Sequence, residues 1–514
     1  MNHWGVCFPI FMVFLAVGLS SEAEYFTAAV FEHARQSNAT TDTPEDIIFK
    51  NLAFYKKAAE VAKRKGADII VFPEYGIFPP GGRKHLKSYL EMIPDPTERK
   101  TNPCNERKEY ENRPILYSLS CLAKQNGIVV VANMGDIQPC AGQDNCPEDE
   151  NFHFNTNVVF DKDGTLLVRY YKEFLFYDFG MNLPQKQQDP VFKTDFGTFA
   201  TFICFDIEYE KMTEVSKRED IDAIVFSAMW GNTPPQRSSV QQWESWSLGN
   251  NATLLASNIQ MPGYLATGSG IFSGTYGPLA YTFDPDGISK LVIAKVPKRG
   301  NSFNFSSPNA SIIKITMNDT QESFDDGSNV PTECSMKILG KSKDLYKDNR
   351  CFEMNMSNYS FVQLVEDSDH VKACLNGICC SLNYSSNGMT ENFYLIVYNG
   401  TIDYASRYSF CEQTCMLTRC EAHGRNPCVT FPLKSQTLFY NVQLTADFST
   451  KHIYPSVVSS GMRLTPLNEW SYGVHQRFSD AYEGYIDFKN SSGQALTSAV
   501  LRGRCYDRDP PYFP

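Results

Sequence analysis

Apolar positions in the first part of the chain alternate between two periods. Thr43-Pro44-Glu45-Asp46 has the marks of a helix start: a capping hydroxyl, a first-turn proline and acids at the positive end of the dipole. Ile48, Leu52, Tyr55 and Ala59 then recur at helical spacing along one face, and Gly66 supplies the stop. The period changes at once. Ala67-Asp-Ile-Ile-Val-Phe-Pro73-Glu74 is a short apolar run that closes on a proline and an acid. Pro114 to Gln125 reads as a helix and Ile128 to Met134 as a buried strand. Thr156 to Phe160 and Thr165 to Tyr170 predict a hairpin around Asp161-Lys-Asp-Gly164. A β-branched and aromatic run from Gly197 ends on Cys204, and a polar, helical stretch follows from Glu208 to Asp220. Ala223 to Phe226, a helix near Ser238 to Leu248 and a strand Thr253 to Ser257 continue the alternation. Apolar strands alternating with helices predict an α/β fold, a sheet covered on a face by helices.

Near residue 300 the pattern shifts to short alternating strands, such as Phe393 to Tyr398, set among cysteines. This predicts a second, β-rich, disulfide-stapled domain. We place the boundaries at 1–23 for a leader, 24–320 for the first domain and 321–514 for the second.

Composition narrows the class. The chain has 514 residues, 42% hydrophobic and 20% charged, enough for a sizeable core. Its net charge of −11 argues against a nucleic-acid surface. Val6 to Leu19 is an apolar run, and Ser21-Glu-Ala23 offers small residues for cleavage, so a secretory leader is expected. N-x-S/T sequons stand at Asn38, Asn251, Asn304, Asn309, Asn318, Asn355, Asn358, Asn383, Asn399 and Asn490. No later run approaches the roughly 20 apolar residues of a membrane helix, and the last residues lack the tail of a lipid anchor. A secreted, extracellular protein is the expectation. Of the 16 cysteines, Cys7 falls in the leader; the remainder is odd, so complete pairing leaves one thiol free. Proximity suggests Cys140–Cys146 and Cys104–Cys121, although spacing alone does not set connectivity.

Three strand ends carry chemistry. Glu74 closes Ile69 to Phe72, Lys172 follows Leu166 to Tyr170, and Cys204 closes its own strand. Each has an ordinary explanation, since a buried cysteine behaves mostly as a small hydrophobe and a terminal acid or lysine is usually solvated. Together they meet what thiol-dependent amide cleavage requires. A carboxylate takes the thiol proton and later passes it to the leaving amine, while an ammonium and a backbone N–H hold the oxyanion.

The segments Val-Phe-Pro-Glu74, Arg-Tyr-Tyr-Lys172-Glu-Phe-Leu-Phe and Phe-Ile-Cys204-Phe-Asp-Ile resemble the motifs of the carbon–nitrogen hydrolases, the nitrilase superfamily. Phe26 to His33, Phe154 to Phe160, Leu255 to Ile259, Thr267 to Ile271 and Cys374-Leu-Asn-Gly-Ile-Cys-Cys380 are similar to its vanin (pantetheinase) and biotinidase branch. The resemblance implies a four-layer α-β-β-α sandwich, with Glu74 as general base, Lys172 at the oxyanion and Cys204 as nucleophile. It implies a small-molecule amide substrate such as pantetheine or a biotinyl amide, and neither metal nor organic cofactor. Tyr75-Gly76 stands where relatives carry an acid, and Ser227-Ala-Met-Trp230-Gly-Asn232 departs from the branch. Tyr75, Phe205, Trp230 and Asn232 are therefore the expected substrate contacts. Cys411 and Cys505 have no counterpart in the branch and are candidates for each other.

Two other classes compete. A papain-like peptidase pairs cysteine with histidine, and His33, His85 and His153 sit in no such context. Squid photoproteins of the symplectin type resemble the same branch. They imply a coelenterazine-type chromophore on a cysteine, here Cys374, Cys379 or Cys380.

Overall fold

The period-two runs of the first domain become two sheets laid face to face. In a computed structural model, residues 24–38, 40–300, 310–323, 329–330, 354–423 and 426–513 are described. The expected leader, Asn304, Asn309, Cys334 and Cys351 lie outside them.

The larger sheet runs Thr320–Ser323, Ser311–Ile315, Ser289–Pro297, Tyr25–Glu32, Ile69–Val71, Val129–Pro139, Asn151–Phe160, Leu166–Tyr171, with Leu90–Glu91 pairing beside Val129–Pro139. Its centre is parallel and its flanks antiparallel. The smaller sheet runs Gly277–Thr282, Ser269–Ser273, Leu254–Ser257, Ala223–Ser227, Thr198–Ile203, Val191–Lys193. The first sheet extends to Ser323, three residues past the boundary expected from sequence.

Because side chains alternate across a strand, each run serves two cores. Ala28, Val30, Ile69, Val71, Val129 and Val131 meet the smaller sheet. Ala29, Phe31, Ile70, Phe72, Val130 and Ala132 face outward onto the helices Pro44–Arg64 and Pro114–Asn126. The first helix is capped as its sequence predicts: Thr43 and Asp46 form a reciprocal capping box. Ser239–Asn250 covers the far face of the smaller sheet, completing the α-β-β-α order.

That last helix departs from a surface helix. Its glutamines, serines and Glu244 are buried, because the second domain packs over it. Gly249 permits the approach: a Cβ there would lie 2.6 Å from the Tyr454 ring and 2.7 Å from the Ile453 carbonyl. Among the described residues the second domain has a two-stranded ribbon, Glu421–His423 with Asn426–Thr430, and two large antiparallel sheets packed on a shared core. One runs Ser360–Gln363, Phe393–Tyr404, Tyr408–Arg419, Leu496–Arg504, Ile453–Ser459, Arg463–Leu464. The C-terminal strand thus lies inside the sheet rather than at its edge. Cys104–Cys121, Cys140–Cys146 and Cys411–Cys505 pair as expected, alongside Cys374–Cys379, Cys380–Cys415 and Cys420–Cys428.

Candidate active site

Strand geometry brings Glu74, Lys172 and Cys204 together. Lys172 and Cys204 directly follow the last residue of their strands and Glu74 lies three residues past Val71, where the sheet still fixes the backbone but no longer demands the side chain for packing. Glu74, Lys172 and Cys204 are all buried. Lys172 Nζ donates to Glu74 Oε1 at 2.7 Å, and Asn155 Nδ2 donates to the same oxygen at 2.7 Å. The Met229 N–H donates to Glu74 Oε2 at 3.0 Å, and the Cys204 thiol points at the Met229 carbonyl, 3.8 Å away. One residue of a neighbouring loop thus touches both the acid and the thiol.

Cys204 has φ of +47°, a left-handed conformation unusual for a residue other than glycine. It opens the 3-10 turn Cys204–Glu208. Asp206 ties that turn down: it accepts from the Ile203 N–H at 3.0 Å, the Tyr170 hydroxyl at 3.1 Å and the Phe174 N–H at 3.1 Å. Burial raises its carboxyl to about 7 despite these donors.

A fourth group, absent from the sequence-level expectation, completes the cluster. Lys172 Nζ also donates to Asp178 Oδ2 at 2.8 Å, and Asp178 Oδ1 accepts from the Tyr75 hydroxyl at 2.6 Å. One buried cation therefore stands between two buried carboxylates. Burial alone would lower the Lys172 ammonium; Asp178 first, then Glu74, overcome it and hold the group well above the usual lysine range. Burial and the Glu74 charge push the Cys204 thiol well up, against the opposing pull of Lys172. The resting form is a thiol.

Of the expected substrate contacts, Tyr75 reaches the cluster through Asp178. Its φ of +52° aims it there, and Gly76 follows because a Cβ would lie 2.1 Å from the Tyr55 hydroxyl. Phe205 joins an aromatic group with Phe176 at 4.8 Å and Tyr408 at 4.8 Å between ring centres. Trp230 and Asn232 are placed otherwise. Trp230 Nε1 donates to the Arg237 carbonyl, and its ring belongs to the inter-sheet core. Asn232 has its amide committed to Leu265, Thr267 and the Ser239 N–H, and it is fully buried. In both, the side-chain polar atoms are already hydrogen-bonded inside the protein.

The second domain also reaches the site, through Tyr404 and Tyr408 beside Phe176 and Phe205. The cysteines proposed for a chromophore are all in disulfides, so none offers a thiol, and among the described residues Cys204 is the free cysteine. Among those residues no group of three or more His, Cys, Asp or Glu is placed to hold a metal, and no helix is long and apolar enough to cross a membrane.

The family profile "Carbon-nitrogen hydrolase" matches residues 47–252, and "Vanin C-terminal domain" matches residues 350–509. A biotinidase of Takifugu rubripes is 31% identical over 99% of this chain and 100% of its own. The human pantetheinase is 32% identical over 96% of this chain and 91% of its own. Among solved structures, an amidase from Nesterenkonia sp. aligns with 55% of this chain and 93% of its own at a TM-score of 0.39 and 18% identity. The chain belongs to the family of biotinidase and pantetheinase, and it is a carbon–nitrogen hydrolase.

Proposed function

We propose that the protein is a secreted amidohydrolase that cleaves a linear, non-peptide amide through a thioester on Cys204. The observation that carries this reading is the buried contact set of Glu74, Lys172 and Cys204. Glu74 takes the thiol proton as sulfur attacks the amide carbon. Lys172 and the backbone N–H after Cys204 stabilise the oxyanion. As the tetrahedral species collapses, the C–N bond breaks and Glu74 returns the proton to the departing amine. Water, deprotonated by Glu74, then attacks the thioester and releases the carboxylic acid and the thiol. The sequence requires no metal or organic cofactor.

Pantetheine-like and biotinyl amides are the substrates of choice, because the relatives that span almost the whole chain bear the names pantetheinase and biotinidase. Secretion is supported by six disulfides among the described residues and by exposed sequon asparagines at 38, 251, 318, 355, 358 and 383.

Hydrolysis of pantetheine and biocytin by the purified protein tests the reading. Cys204→Ala is expected to lose at least about a thousandfold in kcat, and Glu74→Gln comparably. Lys172→Ala is expected to cost about 3–4 kcal/mol of transition-state stabilisation, the worth of one oxyanion donor. Turnover surviving in Cys204→Ala would refute the mechanism.

A further inference from the structure

The turn that presents Cys204 is held by both domains. Its first-domain side is fixed by Asp206, whose partners are all local to the sheet and the loop after Lys172. Its other side, Phe205 and Glu208, faces the second domain. The Phe205 ring packs against Tyr408 at 4.8 Å and Phe410 at 5.8 Å.

Glu208 ends the turn and is fully buried. Its Oε2 accepts from Arg502 at 3.0 Å, its Oε1 from Arg237 at 3.2 Å and Gln242 at 2.7 Å, and its backbone carbonyl from Arg504 at 2.8 Å. The cations are themselves balanced. Arg237 also reaches Glu412, Arg502 Nε lies 3.7 Å from Glu412, and Arg504 pairs with Asp509 at 2.7 Å. Three arginines meet three carboxylates, and the pairs Arg502–Glu208 and Arg237–Glu412 cross between the domains. A buried carboxylate with this many donors stays ionised and has one place to sit.

A non-glycine residue at φ of +47° persists only where its surroundings over-determine it. Three residues separate Cys204 from the clamped Glu208, too few to absorb movement of one end without turning the other. We propose that Arg502, supported by Arg504, is a positioning residue for the nucleophile: by fixing Glu208, the second domain sets the orientation of Cys204. The second domain is then a working part of the active centre. The proposal rests on Cys204 being the nucleophile.

The test is Arg502→Met in the full-length protein. It reads folding by near-ultraviolet circular dichroism, kcat and KM on whichever of pantetheine and biocytin the wild type cleaves, and the pH midpoint of Cys204 alkylation by iodoacetamide. In the folded variant kcat is expected to fall at least about tenfold with KM within about threefold. The alkylation midpoint is expected to drop toward the ordinary thiol value, because a misplaced Cys204 leaves Glu74 and its buried surroundings. Arg502→Lys, which keeps the charge but not the guanidinium that spans Glu208 and Glu412, is expected to lose less kcat than Arg502→Met. If Arg502→Met does not fold, Glu208→Gln/Arg502→Met removes both charges together and the same readings decide. A folded variant with wild-type kcat and alkylation midpoint overturns the proposal, as does equal loss in the Met and Lys variants. Alkylation does not depend on the substrate, and Cys204→Ala tests the nucleophile separately, so the two readings fail distinguishably.

Discussion

Lys172 leans on two carboxylates with different tasks. In the proposed mechanism Glu74 exchanges protons with the thiol and the leaving amine, whereas Asp178 accepts from Lys172 and from the Tyr75 hydroxyl. Asp178→Asn keeps the shape and removes one charge, so Lys172 turns wholly to Glu74 and proton acceptance slows. A drop of about ten- to a hundredfold in kcat is expected, with steady-state hydrolysis as the measurement. Tyr75→Phe removes only a hydrogen bond to Asp178 and is expected to cost less than Asp178→Asn. The meeting of Glu74, Lys172 and Cys204 was legible in the sequence because each comes after a recognisable strand, whose end fixes where the side chain goes. Asp178 was not. It lies in the aperiodic Phe176-Tyr177-Asp178-Phe179 loop, where nothing local says that the chain turns back onto Lys172. The internal bonds of Trp230 and Asn232 were not legible either, because a place near the site in sequence does not reveal which polar atoms the fold has already used.

At the scale of elements, the Cys204–Glu208 turn joins the chemistry to the stability of the interface. The arginines around Glu208 hold its carboxyl down at about 2 against the burial that would raise it, compared with 4.5 in the unfolded chain. For a depressed carboxyl the stabilisation is complete above the unfolded value and drains away as pH falls toward the folded one. That difference corresponds to about 3 kcal/mol at neutral pH. His33, kept neutral by burial down to about 3, adds a loss of the same sign that begins below its ordinary 6.5. Asp206, Glu32 and Glu91, each raised to about 7 by burial, contribute with the opposite sign between pH 7 and their ordinary range. The slope there is a balance, whereas thermal denaturation followed from pH 7 to pH 2 is expected to show a steeper decline below about 4.5. Glu208→Gln should flatten only the steeper part. A Glu208→Gln curve that runs parallel to wild type throughout would remove Glu208 from the account of acid stability.

At the scale of the molecule, the division into an α/β domain and a β-rich domain was legible from the switch in hydrophobic period and the crowding of cysteines. The docking between them was not, because it depends on strands far apart in sequence. Leu496–Arg504 lies between Tyr408–Arg419 and Ile453–Ser459, and Cys411–Cys505 closes a separation of 94 residues around it. A closure of that length is worth about 4–5 kcal/mol in the chain-entropy account. Peptide mapping under non-reducing conditions is expected to recover the Cys411–Cys505 cross-link and an alkylated peptide containing Cys204. An oxidised Cys204 would contradict it.

The helix Ser239–Asn250 has a further consequence, which concerns time. Its outer face, with Gln241, Gln242, Glu244 and Ser245, is covered in the finished protein by strands around Ile453–Ser459. Those strands are synthesised about two hundred residues later, a delay of roughly 10–40 s at ordinary rates of translation. Throughout that interval the first domain can assemble its sheets while the helix that will become its outermost layer still faces water. Its glutamines and serines suit that stage, and in the finished protein Gln241 meets Ser456 of the second domain while Gln242 meets Glu208 of the first. A helix that reads as amphiphilic on both faces is what a chain needs when one surface must be soluble first and buried afterwards.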